Sequence, residues 1–370
     1  MPDIIQSLFS LAQNGMFIII GLIGIGFIIG FHELGHFMFC KLFKISTPSF
    51  SIGMGPRIFT KKIGDTEFSL SAIPVGGYVE IAGNSEMGQG EQKQAHRNDQ
   101  YSFANKPYYQ KMLVMAGGIL FNLIFAYFAL TMLYFFGMPK SPILYHYSAS
   151  TTIDQILPET PAAKSSLAPQ DTIIGVNDVL VHNAQELLTV IKGLPNTTAK
   201  FTIVRNNNQQ EFQINIGSKE CNNATIGFLG IDFIIPRYGF IESIKKSFAA
   251  VNHIIYQVLL AFKGIFAERK FDNLGGPFMI IHQTIKSAEQ GFSMLILLLA
   301  FISINLAIIN IFPLPILDGG QALYYTIEAI IRRPMPDRLR EYIHYATWIC
   351  VLLLVVYLTI KDFIKIFWTC

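Results

Sequence analysis

Residues 16–39 read MFIIIGLIGIGFIIGFHELGHFMF, and this stretch sets the class of the protein. Among these residues only Glu33 is formally charged. A helix rises about 1.5 Å per residue, so about 20 apolar residues cross the roughly 30 Å hydrocarbon core of a bilayer. Three other runs are as long and as apolar: about Met112 to Phe136, Phe292 to Ile316 and Ala346 to Trp368. The chain is 51% hydrophobic and 14% charged, with a mean hydropathy of +0.41, whereas a soluble domain carries about 25% charge. The expected architecture is therefore an α-helical polytopic membrane protein with four transmembrane helices. The first run is expected to remain as an anchor, because no basic residue precedes it and it is too long for the apolar part of a signal peptide. A net charge of +3, with scattered basic residues, indicates no nucleic-acid partner. Cys40, Cys221, Cys350 and Cys370 lack C-x-x-C spacing, which argues against a disulfide framework or a thiolate zinc site.

Orientation follows from lysine and arginine in short loops, which stay on the cytoplasmic side. Lys41, Lys44, Arg57, Lys61, Lys62, Arg97 and Lys106 lie between the first two runs, and Arg332, Arg333, Arg338 and Arg340 between the last two. The first fifteen residues hold only Asp3. Both basic loops are expected inside and both termini outside, with the long segment from about Pro139 to Gly291 outside as well.

Between the runs the composition changes. Residues 1–142 form the first membrane half, in which 49–81 alternates in short stretches around Phe68, Leu70 and Ala72. The breaker Pro74-Val75-Gly76-Gly77 follows, then Tyr78, Val79 and Ile81, a hairpin signal. Gly83 to Asn98 is expected as a polar loop. Residues 143–233 have ordinary globular usage, with strand-like Thr172 to Val176, Phe201 to Arg205 and Glu211 to Ile216, and are expected to form a small external α+β domain. Residues 234–291 are a connector. Within it Tyr238 to Ala267 is amphipathic, placing Ile241, Ile244, Phe248, Val251, Ile254, Ile255, Val258 and Leu259 on neighbouring turns, and lies either on the membrane surface or against the domain. Residues 292–370 complete the membrane domain.

The chemistry begins at Phe31-His32-Glu33-Leu34-Gly35-His36. Two histidines at i and i+4 share a helix face and reach one zinc ion, while Glu33 can take a proton from a water that the ion activates. With 8 His in the chain, H-E-x-x-H arises by accident at roughly 0.6%. Each ionisable group inside a membrane helix costs about 2.5 to 3.5 kcal/mol on insertion scales, so three together call for a compensating partner such as a metal. Catalytic zinc takes three protein ligands. Asp318, at the end of the third run in Asn310-Ile311-Phe312-Pro313-Leu314-Pro315-Ile316-Leu317-Asp318-Gly319-Gly320, is the candidate third, because the first and third runs cross in the same direction and end at the same depth. Asn305 and Asn310 fall in the same run and could hold either substrate backbone or the surroundings of the zinc.

H-E-L-G-H in a first span with N-x-x-P-x-P-x-L-D-G in a third resembles the site-2 protease family of zinc intramembrane metalloproteases, closest to the bacterial regulator-of-sigma-E protease branch. Ile73 to Val79 is similar to that family's membrane-associated β-hairpin, Leu274-Gly275-Gly276-Pro277 to the segment before its third span, and Ala116 to Ala126, with Asn122, to its second span. The resemblance implies one Zn2+ held by His32, His36 and Asp318, Glu33 as catalytic acid and base, and Asn310, with Asn305, Gly76 and Gly77, in substrate positioning. It implies cleavage of single-pass membrane proteins already trimmed outside by an upstream site-1-type protease, in a bacterial inner membrane with both termini periplasmic. Two positions depart from the family pattern: Gly118-Ile119 stands where the family has G-P, and Gln321 where close relatives have His.

The external domain resembles a bacterial PDZ domain through Pro158-Glu159-Thr160-Pro161-Ala162-Ala163, Leu167, Asp171 to Ile174 and Ile226 to Ile231. The family's A-G, G-D and N-G pairs are here Ser165-Ser166, Gln170-Asp171 and Asn177-Asp178, and the segment has room for one such domain where the nearest relatives carry two. It is expected to act as a steric cover against bulky substrates rather than as a peptide recruiter. Two other function classes remain. A catalytically inactive zinc-site adaptor is opposed by retention of Glu33, and a prenyl-protein-processing type metallopeptidase by Asp318, since that type draws its third ligand from a glutamate.

Overall fold

The computed structural model describes residues 2–84, 92, 94, 97–141, 144–221, 224–268, 275–333 and 335–368. Part of the loop expected at Gly83 to Asn98, the domain boundary at 143, Leu274 and Cys370 lie outside the described residues.

In chain order the elements are α1 (Pro2–Leu42), β1 (Ser49–Ile63), β2 (Thr66–Val79), α2 (Tyr108–Phe136), α3 (Tyr145–Ser148), β3 (Ile153–Ile156), β4 (Thr172–Val176), β5 (Val179–Leu180) and α4 (Ala184–Lys192). There follow β6 (Thr198–Arg205), β7 (Asn208–Asn215), β8 (Gly217–Cys221), β9 (Ala224–Phe228), β10 (Ile231–Phe233), α5 (Phe240–Glu268), α6 (Pro277–Glu289), α7 (Phe292–Ile311), α8 (Asp318–Ile331) and α9 (Asp337–Trp368). They form two compact units, Met1–Leu130 with Val251–Cys370, and Thr131–Ala250.

In the first unit α1 and α7 run parallel: Gly24 of α1 faces Leu299, and eight residues further on His32 meets Asn310. α2 runs against α1, with Phe125 on Phe27 and Gly117 on Gly35. The backbones touch there because neither glycine carries a side chain, the close approach that small residues permit between membrane helices. α9 also runs against α1, from His344 beside Gln321 to Asp362, whose carboxylate accepts the Gly276 and Met279 N–H groups at the start of α6. The third run ends at Ile311, earlier than expected, since Pro313 and Pro315 cannot donate to a helix and Phe312 before the first of them is extended at φ −63°, ψ 143°.

Among the described residues five helices are long and apolar enough to cross a membrane: Gly15–Leu42, Tyr108–Phe136, Phe240–Ile265, Phe292–Ile311 and Arg338–Ile364. Four were expected from sequence. The additional one lies in α5, the amphipathic segment of the connector, whose polar face does not prevent its mean hydropathy from reaching 1.4.

The hairpin is present, but Pro74-Val75-Gly76-Gly77 is not its turn. The chain reverses at Gly64 and Asp65, where Ile63 pairs with Thr66, and β2 continues through Pro74 to Val79. Residues 49–52 lie between two stretches of β2, Ser51 opposite both Ser69 and Tyr78. Gly76, at φ +87°, makes the irregularity that lets an edge strand hold a proline.

The second unit holds a four-stranded sheet of order β5-β4-β6-β7, with β3 on β10 and β8 on β9 as separate pairs. The stretch expected at Thr172 to Val176 is β4, and Phe201 to Arg205 ends β6. Inward positions alternate along both strands, and Ile173, Phe201 and Ile203 join Leu187 and Ile191 of α4 in the core. Asn183 caps α4 through the Glu186 N–H, and Glu186 in return accepts from the His182 N–H. Burial pushes the Asp171 carboxyl up, but two 2.7 Å bonds from Arg205 and the Ala168 N–H more than offset this and hold it below the ordinary aspartate value.

Candidate metal centre

One turn of α1 separates His32 from His36, and each ring is held at Nδ1. His36 donates from Nδ1 to the Val114 carbonyl at 2.8 Å, and His32 Nδ1 lies 3.0 Å from the Asn122 amide. Their Nε2 atoms converge at 3.2 Å. Asp318 completes a triangle, with Oδ2 3.3 Å from His32 Nε2 and Oδ1 3.4 Å from His36 Nε2. Among the described residues these three form the only group of His, Cys, Asp or Glu side chains placed to share a metal ion.

The chemistry of this donor set fits zinc. Bonds of about 2.0 to 2.1 Å at tetrahedral angles set ligand atoms about 3.3 to 3.4 Å apart, the observed spacing. Both rings are buried, and Asp318 Oδ2, buried as well, has no hydrogen-bond partner, a loss of about 1 to 3 kcal/mol that a cation would remove. A metal takes the unprotonated Nε2, which requires the hydrogen on Nδ1. The Val114 carbonyl enforces this tautomer at His36. At His32 the requirement is met when the Asn122 amide is turned over, so that its Oδ1, otherwise buried without a partner, accepts from Nδ1–H.

Asp318 opens the first turn of α8, a helix absent from the sequence reading. Gly319 and Gly320 let that turn sit directly on the carbonyls of Ile311 and Leu314, and Gln321 donates to the Pro315 carbonyl at 2.9 Å while accepting from Arg340. The proline loop is thus closed against α8, which sets the carboxylate toward the rings.

Glu33, beside His32 on α1, reaches the hairpin, where Oε2 accepts the Val79 N–H at 3.2 Å and Gly77 faces its side chain. Asn310 brings Nδ2 to 3.4 Å from His32 Nε2. Asn305 donates to the Phe301 carbonyl of its own helix and makes no bond to the three. Gly76 and Gly77 lie in β2, next to Val79.

Three positions on α2 carry the centre although sequence reasoning gave them no role in it: Val114, Gly118 and Asn122, four residues apart and so on one helix face. A lone asparagine in an apolar run, four residues after a glycine pair, was the available signal. A Cβ at Gly118 would overlap the rings of both histidines. Gly118→Ala is therefore expected to weaken zinc binding at least about tenfold and to remove activity with it, while Gly15→Ala, where a Cβ meets only open space, leaves both unchanged. Metal analysis of the two purified proteins checks this.

Two imidazoles and a carboxylate spaced for zinc, with a glutamate outside the triangle next to the first, set in a chain of long apolar helices, define a membrane zinc metalloprotease. The model of peptidase family M50 matches residues 20–354, and the chain belongs to that family. It is 30% identical to a protein of Campylobacter jejuni named "Putative zinc metalloprotease", over 92% of each chain. A Clostridium perfringens protein of the same description is 29% identical over 94% of this chain and 99% of its own, and one from Brucella suis 30% identical over 84% and 85%.

Proposed function

We propose that the protein is an intramembrane endopeptidase of the site-2 protease type, which hydrolyses a peptide bond within or near the membrane span of single-pass proteins already trimmed outside. The observation that carries this reading is the position of His32, His36 and Asp318 among apolar helices rather than on a soluble domain.

Zinc, when bound, supplies Lewis acidity that polarises the scissile carbonyl and lowers the pKa of water toward about 7. Glu33, adjacent to the ligands and not one of them, accepts the proton of the attacking water and returns it to the leaving amine. Asn310 donates to the carbonyl under attack. An apolar cavity of about 530 Å3 between α1 and the hairpin, lined by Ile19, Ile23, Phe27, Phe31, Ile52 and Leu70, suits a hydrophobic segment. A helical substrate hides its carbonyls, so it unwinds and pairs as an added strand with the edge of β2. The Val79 N–H bond to Glu33 supports that placement, since this edge faces the catalytic carboxylate.

We take four helices to span: α1, α2, α7 and α9, whose directions alternate as successive crossings require. We leave α5 out of this count although its Phe262 ring packs 5.0 Å from Phe312 just past α7, because α6, the next helix, starts beside Asp362 at the far end of α9, the side from which α7 sets out. Both termini are then periplasmic in a bacterial inner membrane, and the centre lies toward the cytoplasm. Single cysteines at Asp65 and Arg338 in a cysteine-free protein are expected to be shielded from an impermeant thiol reagent, and one at Asn207 labelled. Labelling at Asp65 in intact cells inverts the orientation.

The second unit is assigned as a PDZ-like cover that excludes untrimmed substrate by volume. Replacing residues 143–233 with a Gly/Ser bridge is expected to permit cleavage of full-length substrate while trimmed substrate is still cut, with zinc content as the control for the membrane domain. Should the deletion protein keep its zinc, refuse untrimmed substrate and lose activity on the trimmed form, the domain recruits instead.

A further inference from the structure

Far from the metal centre, at the other end of α8, a cavity of about 310 Å3 opens between the first turn of α2 and the last turn of α8. Lys111, Arg332 and Arg333 line it, together with Tyr108, Tyr325 and the single acid Glu328. One oxygen of that acid, Oε1, accepts the Met335 N–H at 2.9 Å, and its carboxylate also attracts the Lys111 ammonium. Among the described residues none of the three cations makes an ion pair within 4 Å, and the Lys111 ammonium rests 5.4 Å from the Tyr325 ring. Three basic side chains against one acid leave the cavity lining with an excess of positive charge, which an anion with several oxygens offsets.

The surroundings indicate what carries the anion. Beside the cavity, on the same two helices, Tyr109 (58% exposed), Ile330 (76%) and Ile331 (60%) present bare apolar surface. A free phosphate gains nothing from that surface, whereas a lipid places its phosphate in the basic cavity and its acyl chains along the helices. Tyr108 and Tyr109 are the amphipathic type of residue found at the headgroup level. We propose that this cavity binds the headgroup of an anionic phospholipid, clamping the start of α2 to the end of α8. Those two helices also carry Gly118 with Asn122, and Asp318. The inference rests on the membrane topology proposed above only in calling this face cytoplasmic.

The test uses the zinc-loaded full chain in detergent, mixed with equal amounts of phosphatidylglycerol, cardiolipin and phosphatidylcholine and examined by native mass spectrometry. The anionic lipids are expected to be retained in preference to phosphatidylcholine, and added sodium chloride to erode the preference. Lys111→Gln, Arg332→Gln and Arg333→Gln are each expected to lower retention about fivefold, with Lys62→Gln on the exposed hairpin as the unaffected control. Zinc content, read from the same spectra, shows that each variant retains its membrane fold and separates failure of this site from failure of the metal centre. Equal retention of phosphatidylcholine by the unaltered protein overturns the proposal without recourse to any variant. Displacement of the lipid by an equal concentration of inorganic phosphate also overturns it, because the site would then take a free anion.

Discussion

Glu33→Gln is expected to lower peptide hydrolysis by about 10²- to 10⁴-fold, the contribution of a positioned general acid and base, while zinc stays near one ion per chain. The amide keeps the shape of the side chain and can still accept the Val79 N–H, but it cannot take a proton from water. The ligand triangle does not include Glu33, so nothing in the change loosens the metal. Purified protein is assayed on a membrane substrate and its zinc measured on the same sample. Turnover within a few-fold of the unaltered enzyme would falsify the assignment of Glu33, whereas loss of zinc together with activity would make it a ligand.

Asp318→Ala is expected to remove most of the zinc and, with it, the activity. The carboxylate supplies one corner of the triangle at 3.3 and 3.4 Å from the two rings, and two imidazoles alone leave the ion without its third anchor. The loss of affinity should exceed the about 10- to 100-fold that follows from deleting an outer partner of a ligand. Asn310→Ala provides the contrast. Its amide approaches the same centre but belongs to the assigned substrate carbonyl contact, so zinc is largely retained and turnover falls by about 10²- to 10³-fold, as for a lost donor to a developing oxyanion. Normal zinc in Asp318→Ala means that the third ligand lies elsewhere, and zinc loss in Asn310→Ala means that this residue shapes the metal site itself.

The parts of this protein that were legible in the sequence are those governed by local rules. A bilayer demands long apolar helices with internal hydrogen bonding, so α1, α2, α7 and α9 appear as runs. The i, i+4 spacing of His32 and His36 is a property of one helix turn, and the alternation of Phe68, Leu70 and Ala72 is a property of a strand. The position of the hairpin turn was not legible, because Pro74 to Gly77 carry the usual turn residues. Tertiary packing against α1, where Gly26 receives the Pro74 carbonyl, holds them within β2. Nor was the count of apolar helices, since α5 meets the length and hydropathy of a span while carrying an amphipathic pattern.

By itself the sequence determined the membrane class, the two histidines on one helix face with Glu33 beside them, and the expectation that Asp318 ends at their depth, because each follows from helix period and span direction. Only the tertiary structure decided that Asp318 sits on the first turn of a separate helix folded back over a proline loop, that Gly118 must be small because two rings occupy its side-chain space, and that Asn122 and the Val114 carbonyl orient those rings. These relations join residues as far apart as 32 and 310. No local periodicity encodes such distances. They come from the close packing of helices whose glycines let backbones meet.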